Sequence, residues 1–237
     1  MATVLTTLHL FGLRPSRVPL ALARAGVDPW RMRATRGVRF VKVLGTGDGR
    51  TFTLRDADPL RWGLLCVFQD EGTLAEFERA SRIVAAWRGM AREVWRADLA
   101  LIHSRGRWAR REPFGEPVAT GHDGPVAAIT RARLRPARAR TFWRAVPPVA
   151  QDLRDQPGLR YSIGIGEAPI GLQGTFSVWD SAQALTNFAY RGAAHREVVR
   201  RTAEAGWYAE ELFARFAVVR TTGTIDGADP LEPHLTV

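Results

Sequence analysis

Cysteine is nearly absent from this chain of 237 residues, in which Cys66 is the single example. One cysteine cannot form an internal disulfide, and it cannot supply the paired thiolates of a structural zinc site. The histidines are too widely separated to replace them, standing at positions 9, 103, 122, 195 and 234. Cys66 lies inside an apolar run, which predicts a small buried hydrophobic residue rather than a nucleophile.

Long apolar runs are also missing. No stretch approaches the ~18–20 residues that a membrane-spanning helix needs. The N-terminal sequence MATVLTTLHLF has no basic start and no small-residue cleavage site, so we expect no secretory signal. These absences favour a cytoplasmic protein, at most peripheral to the inner membrane.

Lysine is equally scarce, since Lys42 is the only one among 34 basic residues. The chain nevertheless carries a net charge of +10, which suits an anionic partner such as nucleic acid, a membrane surface or an acidic ligand. The arginines are spread along the whole chain, and no RNA- or DNA-binding motif accompanies them. Charge is the only support for a nucleic-acid-binding barrel, so we expect a solvated basic surface and no nucleic acid.

Two parts of the chain are alike. The segment 63–77, GLLCVFQDEGTLAEF, aligns with 174–188, GTFSVWDSAQALTNF, and each is predicted to run from a short strand through a polar turn into a helix. A Gly-x-Gly follows a β-branched run upstream of each segment. A helix, a tryptophan and a closing strand follow downstream, with the closing strands starting near Asp98 and Phe213. Each half therefore has the ferredoxin-like order β-α-β-β-α-β.

This order predicts the fold class. A ferredoxin-like sheet covered by helices on one face leaves its other face bare, and two such sheets can bury their bare faces against each other. We expect an α+β protein in which tandem ferredoxin-like repeats form a dimeric α/β-barrel-type fold within one chain. The predicted units are 1–108, a connector at 109–124, and 125–237.

The elements of the second half are the better defined. Asp180 or Ser181 is the expected N-cap of its second helix, because a short side-chain oxygen accepts from the free N–H groups of a first turn. Proline at positions 147 and 148 is expected to bend or break its first helix. The predicted strands are Val126–Leu134, Leu159–Gly166 and 173–179, and the predicted first helix is 137–155.

Glycine-rich motifs occur at Gly45-x-Gly47-x-Gly49 and at Gly164-x-Gly166. A dinucleotide-binding loop would connect a strand to a helix, whereas both motifs lead toward another strand. Their recurrence in the two halves favours turns over nucleotide binding.

His195 is the most informative residue. On a continuous helix it shares an inward stripe with Phe188, Val198 and Val199, and the opposite face carries Glu197–Arg201 and Arg200–Glu204 pairs. One interpretation is a hydrogen-bonded core histidine. The other is an axial ligand to haem iron, with Arg191 and Arg196 binding the propionates. The aligned residue of the first half is Val84, so only one half offers this ligand.

The sequence also resembles a known family. The matching motifs cover about 38–230 and are strongest after Pro125: TFSVWD from Thr175, FAYRGAAH from Phe188, WYAEELFARF from Trp207, GIGEAP from Gly164, REPF from Arg111, and PVAAITRARLRPARARTFW from Pro125. They are similar to the spheroidene monooxygenase family of carotenoid enzymes. That resemblance implies a dimeric α/β-barrel fold and a haem cofactor. It also implies oxidation of an acyclic carotenoid or similar apolar polyene with dioxygen and external electrons.

The resemblance further implies that His195 is the proximal haem ligand. Glu210 or Glu211, in the WYAEEL motif, would orient it by accepting its second ring N–H, or would instead cap a helix or strand. The implied partners are an electron donor such as ferredoxin with its reductase, and a membrane in which an apolar substrate dissolves. The alternative function is a haem or apolar-ligand binding protein of the same fold without monooxygenase turnover.

Overall fold

The computed structural model of the chain describes residues 5–48, 56–119, 121–138, 153, 155–167, 174–191 and 207–232. Eight strands and four helices lie within these ranges. The strands are β1 Leu5–Leu13, β2 Val38–Gly47, β3 Ala57–Phe68, β4 Ala91–Gly106, β5 Val126–Leu134, β6 Leu159–Gly166, β7 Gly174–Trp179 and β8 Tyr208–Gly223. The helices are α1 Val18–Arg33, α2 Glu71–Ala80, α3 Arg82–Met90 and α4 Ala182–Arg191.

All eight strands belong to one antiparallel sheet that closes on itself. Its order is β1-β3-β2-β6-β7-β5-β8-β4, and β4 pairs in turn with β1. The predicted mixed α+β class is confirmed. We refer to β1–β4 with α1–α3 as the first half, and to β5–β8 with α4 as the second half.

Strands in the two halves pair in the same register. Thr6 lies opposite Val67 in the first half, as Ala127 lies opposite Val178 in the second. The β1–β4 pair is irregular between Gly12 and Leu13, and the β5–β8 pair is irregular at the corresponding place, between Arg133 and Leu134. Two residues, one in each half, therefore correspond when they hold the same place in the strand pairing, and each paired strand residue of the first half can be matched with one of the second half in this way.

Two seams join the halves. Along the long seam, β4 pairs with β8 from Trp95↔Gly223 to Gly106↔Leu212. Gly106 and Gly223 both have positive φ, and a Cβ on either would lie within about 2.2 Å of a carbonyl oxygen of the other half, so only glycine fits there.

Along the short seam, residues Gly45–Gly47 of β2 pair with Gly164–Gly166 of β6. The prediction that these glycine motifs form turns was wrong. They lie in paired strands where the two halves meet, a relation that no local pattern reveals.

Side chains alternate between the inside of the barrel and its outer face. The inside is filled by large apolar residues, among them Leu8, Trp95, Phe176 and Phe216. The outer face of the first half packs against α1, α2 and α3. Asp70 and Ser81 cap α2 and α3 by accepting hydrogen bonds from the N–H groups of Thr73 and Val84.

The second half agrees with several predicted boundaries. Strands β5 and β6 have the bounds expected from the sequence, and Ser181 caps α4 by accepting from the N–H of Ala184 at 3.2 Å. The closing strands β4 and β8 start earlier than expected, at Ala91 and Tyr208, so that most of the WYAEEL motif belongs to β8. Most of the helix predicted at 137–155 lies outside the described residues.

The connector between the halves is less exposed than its polar composition suggested. Phe114 of the connector and Trp108 just before it are almost fully buried, and Phe114 packs edge-to-face on Phe216 with ring centroids 4.9 Å apart. The connector therefore closes one mouth of the barrel.

Candidate functional site

Helix α4 leads into the segment in which the sequence predicts the haem ligand. Leu185 and Phe188 bury the inner side of α4, and Phe188 stacks on Trp179 with ring centroids 5.5 Å apart. The helix is thus fixed to the outer face of the second-half sheet. Arg191 is its last residue, although its side chain is not described, and His195 and Arg196 lie outside the described residues.

The outer face of the first half is densely filled. Its strands direct large or buried side chains toward the helices: His9, Phe11, Val41, Val43, Leu64 and Cys66. Phe11 stacks on Trp87 of α3 with ring centroids 5.5 Å apart. Cys66 is buried as predicted, and burial raises the pKa of its thiol above the usual range, which makes it unreactive. Close packing of this kind leaves no room for a ligand between sheet and helices.

The outer face of the second half has small residues at the corresponding positions. In the same order as above they are Thr130, Ala132, Ser162, Gly164, Thr175 and Ser177. Ala132 stands in place of Phe11, Gly164 in place of Val43, and Thr175 in place of Leu64. The backbone frame is shared, but the side chains at these six positions are smaller in the second half. We call this small-residue surface, which adjoins α4, the second-half outer face, or the recess.

Strand β8 adds polar groups to the edge of this recess. Glu211, Phe213 and Arg215 alternate along its outer side, where the corresponding residues of β4 are Val94, Arg96 and Asp98. The Arg105 guanidinium lies over the Phe213 ring, 5.1 Å from its centroid. The face thus combines small residues with a carboxylate, a guanidinium and an aromatic ring.

A second group of polar side chains lies on the inner side of the same strand ends, at the barrel mouth closed by the connector. This barrel-mouth cluster consists of Lys42, Trp108, Arg131, Glu167 and Glu210. Buried Arg131 donates to Glu167 at 2.7 Å and also to Glu210. Lys42 and the indole N–H of Trp108 donate to Glu167 as well. The Arg131 guanidinium lies 5.5 Å from the Trp108 ring centroid.

The charges of the cluster offset its burial. Burial alone would raise the pKa of Glu167, but the hydrogen bond and charge of Lys42 and the charge of Arg131 outweigh it, so the pKa lies below the usual range. The pKa of Glu210 is also lowered, because the N–H of Arg110, the Arg131 guanidinium and the N–H of Ala109 outweigh its burial. Both carboxylates are therefore ionised at neutral pH.

A small cleft adjoins the cluster, lined by Leu44, Ile165 and Gly166 together with Trp108, Arg131 and Glu167, and it has no space for even a water-sized molecule. Pockets for small molecules occupy ~300 Å³ or more. The cleft is too small for a porphyrin or a polyene, and the cluster's evident effect is to hold β5, β6 and β8 together behind the recess.

Sequence reasoning missed this cluster, although a signal was present. Arg131, Glu167 and Glu210 stand in three of the motifs that carry the family resemblance, PVAAITRARL, GIGEAP and WYAEEL. Arg131 also falls in the inward phase of an alternating strand, where a charged residue is costly unless paired. These two facts together mark the three residues as partners.

Glu210 has a role that both halves share. Its carboxylate accepts from the N–H groups of Ala109 at 3.1 Å and Arg110 at 2.7 Å. Glu93, the corresponding residue of β4, accepts in the same way from Gly227 at 2.7 Å. A feature common to both halves belongs to the fold, so Glu210 caps a turn. Of the two carboxylates predicted to orient His195, only Glu211 lies on the second-half outer face.

A further buried group lies under the helices of the first half. His9 is fully buried, and its Nε2 lies 3.1 Å from Glu78 Oε1, but the two are poorly aligned for a hydrogen bond. Burial opposes ionisation of Glu78, yet the proximity of His9 and the charges of Arg96 and Arg88 lower its pKa to about 2. No group of three or more His, Cys, Asp or Glu able to hold a metal ion occurs in the described part of the chain.

The sheet and its strand order define a class: an α+β protein with a closed antiparallel barrel whose outer face in the second half is lined by small residues. Two solved structures of aldoxime dehydratase, each 13% identical, match this fold with TM-scores of 0.55 and 0.54. They cover 91% of this chain, and 79% and 81% of their own lengths are matched. At this identity the likeness concerns the fold alone.

Sequence relatives give the family, although no family model matches the chain. Spheroidene monooxygenase of Rhodobacter capsulatus is 35% identical over 82% of this chain and 81% of its own length. Spheroidene monooxygenase of Rubrivivax gelatinosus is 38% identical over 81% of this chain and 73% of its own length. The chain belongs to the spheroidene monooxygenase family, and this membership makes it a monooxygenase.

Proposed function

We propose that the protein is a haem-dependent monooxygenase that oxidises an acyclic carotenoid or a similar apolar polyene. The observation that carries the proposal is the second-half outer face, where small residues replace the large ones of the first half. A flat cofactor needs such a gap between a sheet and its covering segment. The spheroidene named in the relatives' description is the reason for choosing a carotenoid as the substrate class.

The residues of this face suit haem. In the proposal, His195 is the axial ligand of the iron, and Arg191 and Arg196 bind the propionates. Glu211 is the one carboxylate of the WYAEEL motif on the outer face, and it would accept the second ring N–H of His195 and fix its orientation. Small residues such as Ala132 and Gly164 would let the porphyrin approach the sheet closely.

In this proposal haem and the protein contribute different parts of the reaction. Haem, when bound, supplies the activation of dioxygen. The chain contributes a dry, shaped face, a cation-lined edge and a fixed ligand orientation, while the barrel-mouth cluster keeps the strands of that face in place. Electrons would come from an external donor such as ferredoxin with its reductase.

We also infer that the two halves are tandem ferredoxin-like repeats that form a dimeric α/β-barrel-type fold in one chain, divided as 1–108, 109–124 and 125–237. The shared strand register supports this inference. So do the paired irregularities at Gly12/Leu13 and Arg133/Leu134, and the corresponding helix caps at Asp70 and Ser181. Two unrelated halves would not be expected to share all three.

The first experiment is a titration with hemin, recorded as the Soret band of the complex. We expect stoichiometric binding by the wild-type protein and loss of the band in His195→Ala. His103→Ala, an exposed histidine on β4, is the matched control and should leave the band unchanged. An identical band in His195→Ala would contradict the assignment of the ligand.

Glu211→Gln tests the orienting carboxylate, with Glu210→Gln as its neighbour control. Replacing the acceptor of the histidine N–H weakens electron donation to the iron, so we expect Glu211→Gln to raise the haem reduction potential. Glu210→Gln should leave the potential unchanged and lower stability instead. An equal haem reduction potential in Glu211→Gln and wild type would show that Glu211 does not orient the axial histidine.

Turnover is tested by supplying the haem-loaded protein with an acyclic carotenoid, ferredoxin, reductase and isotopically labelled dioxygen. The expected product carries a new carbonyl whose oxygen comes from dioxygen. Binding of haem and carotenoid without product, under conditions that reduce the iron, would favour the binding-protein alternative.

A further inference from the structure

Exposed apolar side chains are concentrated on one helix. Of the six large hydrophobic residues exposed in the described part of the chain, four lie on α1: Leu20, Leu22, Val27 and Trp30. Trp30 is 79% exposed, the highest value among them. An exposed tryptophan in a cluster of aliphatic residues is uncommon on a protein surface without a partner.

Three of these residues lie on one face of α1 and form a continuous apolar surface. Leu20, Ala23, Val27 and Trp30 recur with helical spacing and form one outward stripe. The inward side holds Ala21, Asp28 and Met32, all of them buried. An apolar inward side is explained by packing on the sheet, whereas the apolar outward stripe has no such explanation.

A buried hydrogen-bond anchor fixes which side of α1 faces outward. Asp28 accepts from the indole N–H of Trp87 on α3 at 3.0 Å and from Arg24 at 3.1 Å. Rotation of the helix would break the bond to Trp87 and leave the buried carboxylate without its partner on α3, which is costly. The outward stripe is therefore held in place.

Exposed cations flank the stripe along the chain, and exposed acidic residues are absent from the same stretch. Between positions 14 and 39 the only acidic residue is Asp28, which is buried. The exposed cations of this stretch are Arg14, Arg17, Arg31, Arg33, Arg36 and Arg39. Guanidinium groups bind phosphate with two parallel hydrogen bonds, so such a rim complements a surface of phosphodiesters.

The neighbouring helices show that this arrangement is particular to α1. The exposed positions of α2 include Glu71, Glu76 and Arg79, and those of α3 include Arg82 and Arg88. Charges of both signs, without large apolar groups, are what a solvated helix face carries. The same first half thus has two ordinary helix surfaces and one that is both apolar and basic.

We propose that α1 is a docking surface for an anionic lipid bilayer. Leu20, Val27 and Trp30 enter the headgroup region, and the surrounding arginines bind lipid phosphates. Aromatic and aliphatic residues on a helix with a cationic border are the pattern of interfacial membrane binding. The six exposed arginines, with no exposed acidic residue between positions 14 and 39, complement the phosphodiesters of a bilayer and are the reason for choosing lipid over a protein partner. Docking goes beyond the proposed function, because it requires neither haem nor turnover.

The experiment is flotation of the full-length protein with vesicles, in the absence of haem and carotenoid. One set of vesicles contains phosphatidylcholine with phosphatidylglycerol, and the other contains phosphatidylcholine alone. We expect binding to the anionic vesicles that falls as salt rises, at least about tenfold stronger than binding to the neutral ones. Brominated lipid should quench Trp30 fluorescence, measured as the difference between wild type and Trp30→Phe.

Variants identify the surface. Trp30→Ser with Val27→Ser, and separately Arg31→Glu with Arg33→Glu, should each weaken anionic-vesicle binding at least about tenfold. Val219→Ser, an exposed apolar residue on β8, and Arg107→Glu, directly after β4, are the matched controls and should bind as wild type does. Circular dichroism confirms that each variant folds.

Three results would overturn the proposal. The first is equal binding to neutral and anionic vesicles, or none to either. The second is unchanged vesicle binding in both α1 variants. The third is a wild-type dimer that the Trp30→Ser, Val27→Ser variant converts to a monomer, since the stripe would then be an interface between copies of this chain.

Discussion

The two outer faces of the barrel have the same strands in the same register, and they differ in what fills them. On the first half, Phe11, Val43 and Leu64 pack against three helices. On the second half, Ala132, Gly164 and Thr175 occupy those positions. The same frame therefore carries large packed side chains in one half and small side chains in the other, and the proposed haem site rests on that difference.

The two mouths of the barrel differ in a similar way. Lys42, Arg131 and Glu167 form an ionic cluster at one mouth, and the corresponding residues at the other are Ile163, Leu10 and Thr46. The charged mouth lies directly behind the recess. Removing side chains from one face weakens the sheet there, and the cluster reinforces the same strands from inside.

The largest expected effect comes from breaking that cluster. Arg131→Leu introduces the residue found at the other mouth and leaves Glu167 and Glu210 without their buried partner. Breaking a buried ionic network by removing one member costs ~3–5 kcal/mol, which should appear as a lower free energy of unfolding in urea. A loss below about 1 kcal/mol would show that the cluster is not structural.

A compensated variant gives the control for this experiment. Arg131→Leu combined with Lys42→Ile and Glu167→Thr replaces the cluster with the residues of the other mouth. Because a buried network can be exchanged for apolar residues at little cost, most of the lost stability should return.

The next effect concerns the recess. Gly164→Val restores the side chain that Val43 provides in the first half, and it should weaken hemin binding ~100-fold, or about 2.8 kcal/mol. The reciprocal change, Val43→Gly, is the matched control: it should lower stability but leave hemin affinity unchanged. Equal hemin affinity in Gly164→Val and wild type would mean that haem does not lie on this face.

The next effect is a pH dependence of stability that arises in the first half only. Glu78 lies on α2 with its pKa lowered to about 2, so its ionised form stabilises the folded state. Its contribution is complete above the unfolded-state value near 4.5 and is lost as pH falls toward 2. We expect a loss on the order of 2 kcal/mol across that interval, after allowing for solvent screening.

Glu78→Gln should flatten this part of the stability curve measured by urea unfolding at each pH. Glu76→Gln, an exposed residue on the same helix, is the control and should leave the slope unchanged. An unchanged slope in Glu78→Gln would assign the acid sensitivity to other carboxylates.

The smallest expected effect compares the two turn caps. Glu93→Ala removes a hydrogen bond to Gly227 at an exposed turn, where water can replace it, and should cost about 1 kcal/mol. Glu210→Ala removes the corresponding cap and also releases Arg131, so its cost in the free energy of unfolding should be larger. Equal costs would show that the Arg131–Glu210 contact contributes nothing.

The sequence predicted the strands well where local patterns determine them. Val126–Leu134 and Leu159–Gly166 alternate or run as continuous apolar segments between turn residues, and both were predicted with the observed bounds. The α4 cap was found because Ser181 precedes a helical pattern. The glycine motifs at Gly45 and Gly164 were misread because their partner is the other half, which is distant in sequence.

The candidate site could be predicted only in part from the sequence. Periodicity indicated that His195 faces inward, but the recess is visible only when Ala132 and Gly164 are matched with Phe11 and Val43 through strand pairing. The barrel-mouth cluster also joins residues from β2, β5, β6 and β8. Long-range pairing of this kind leaves little trace in a single sequence beyond an unexpected charge in an inward position.

The difference in length between the two seams has a consequence for how the barrel opens. The β4–β8 seam joins Trp95–Gly106 to Leu212–Gly223, whereas β2 and β6 share only three residues each, with the Lys42–Glu167 ion pair beside them. Local opening begins where the fewest backbone hydrogen bonds must break. Amide hydrogens of Thr46 and Ile165 should therefore exchange with solvent long before those of Leu99 and Val218, and the barrel should open between β2 and β6 while its long seam stays intact.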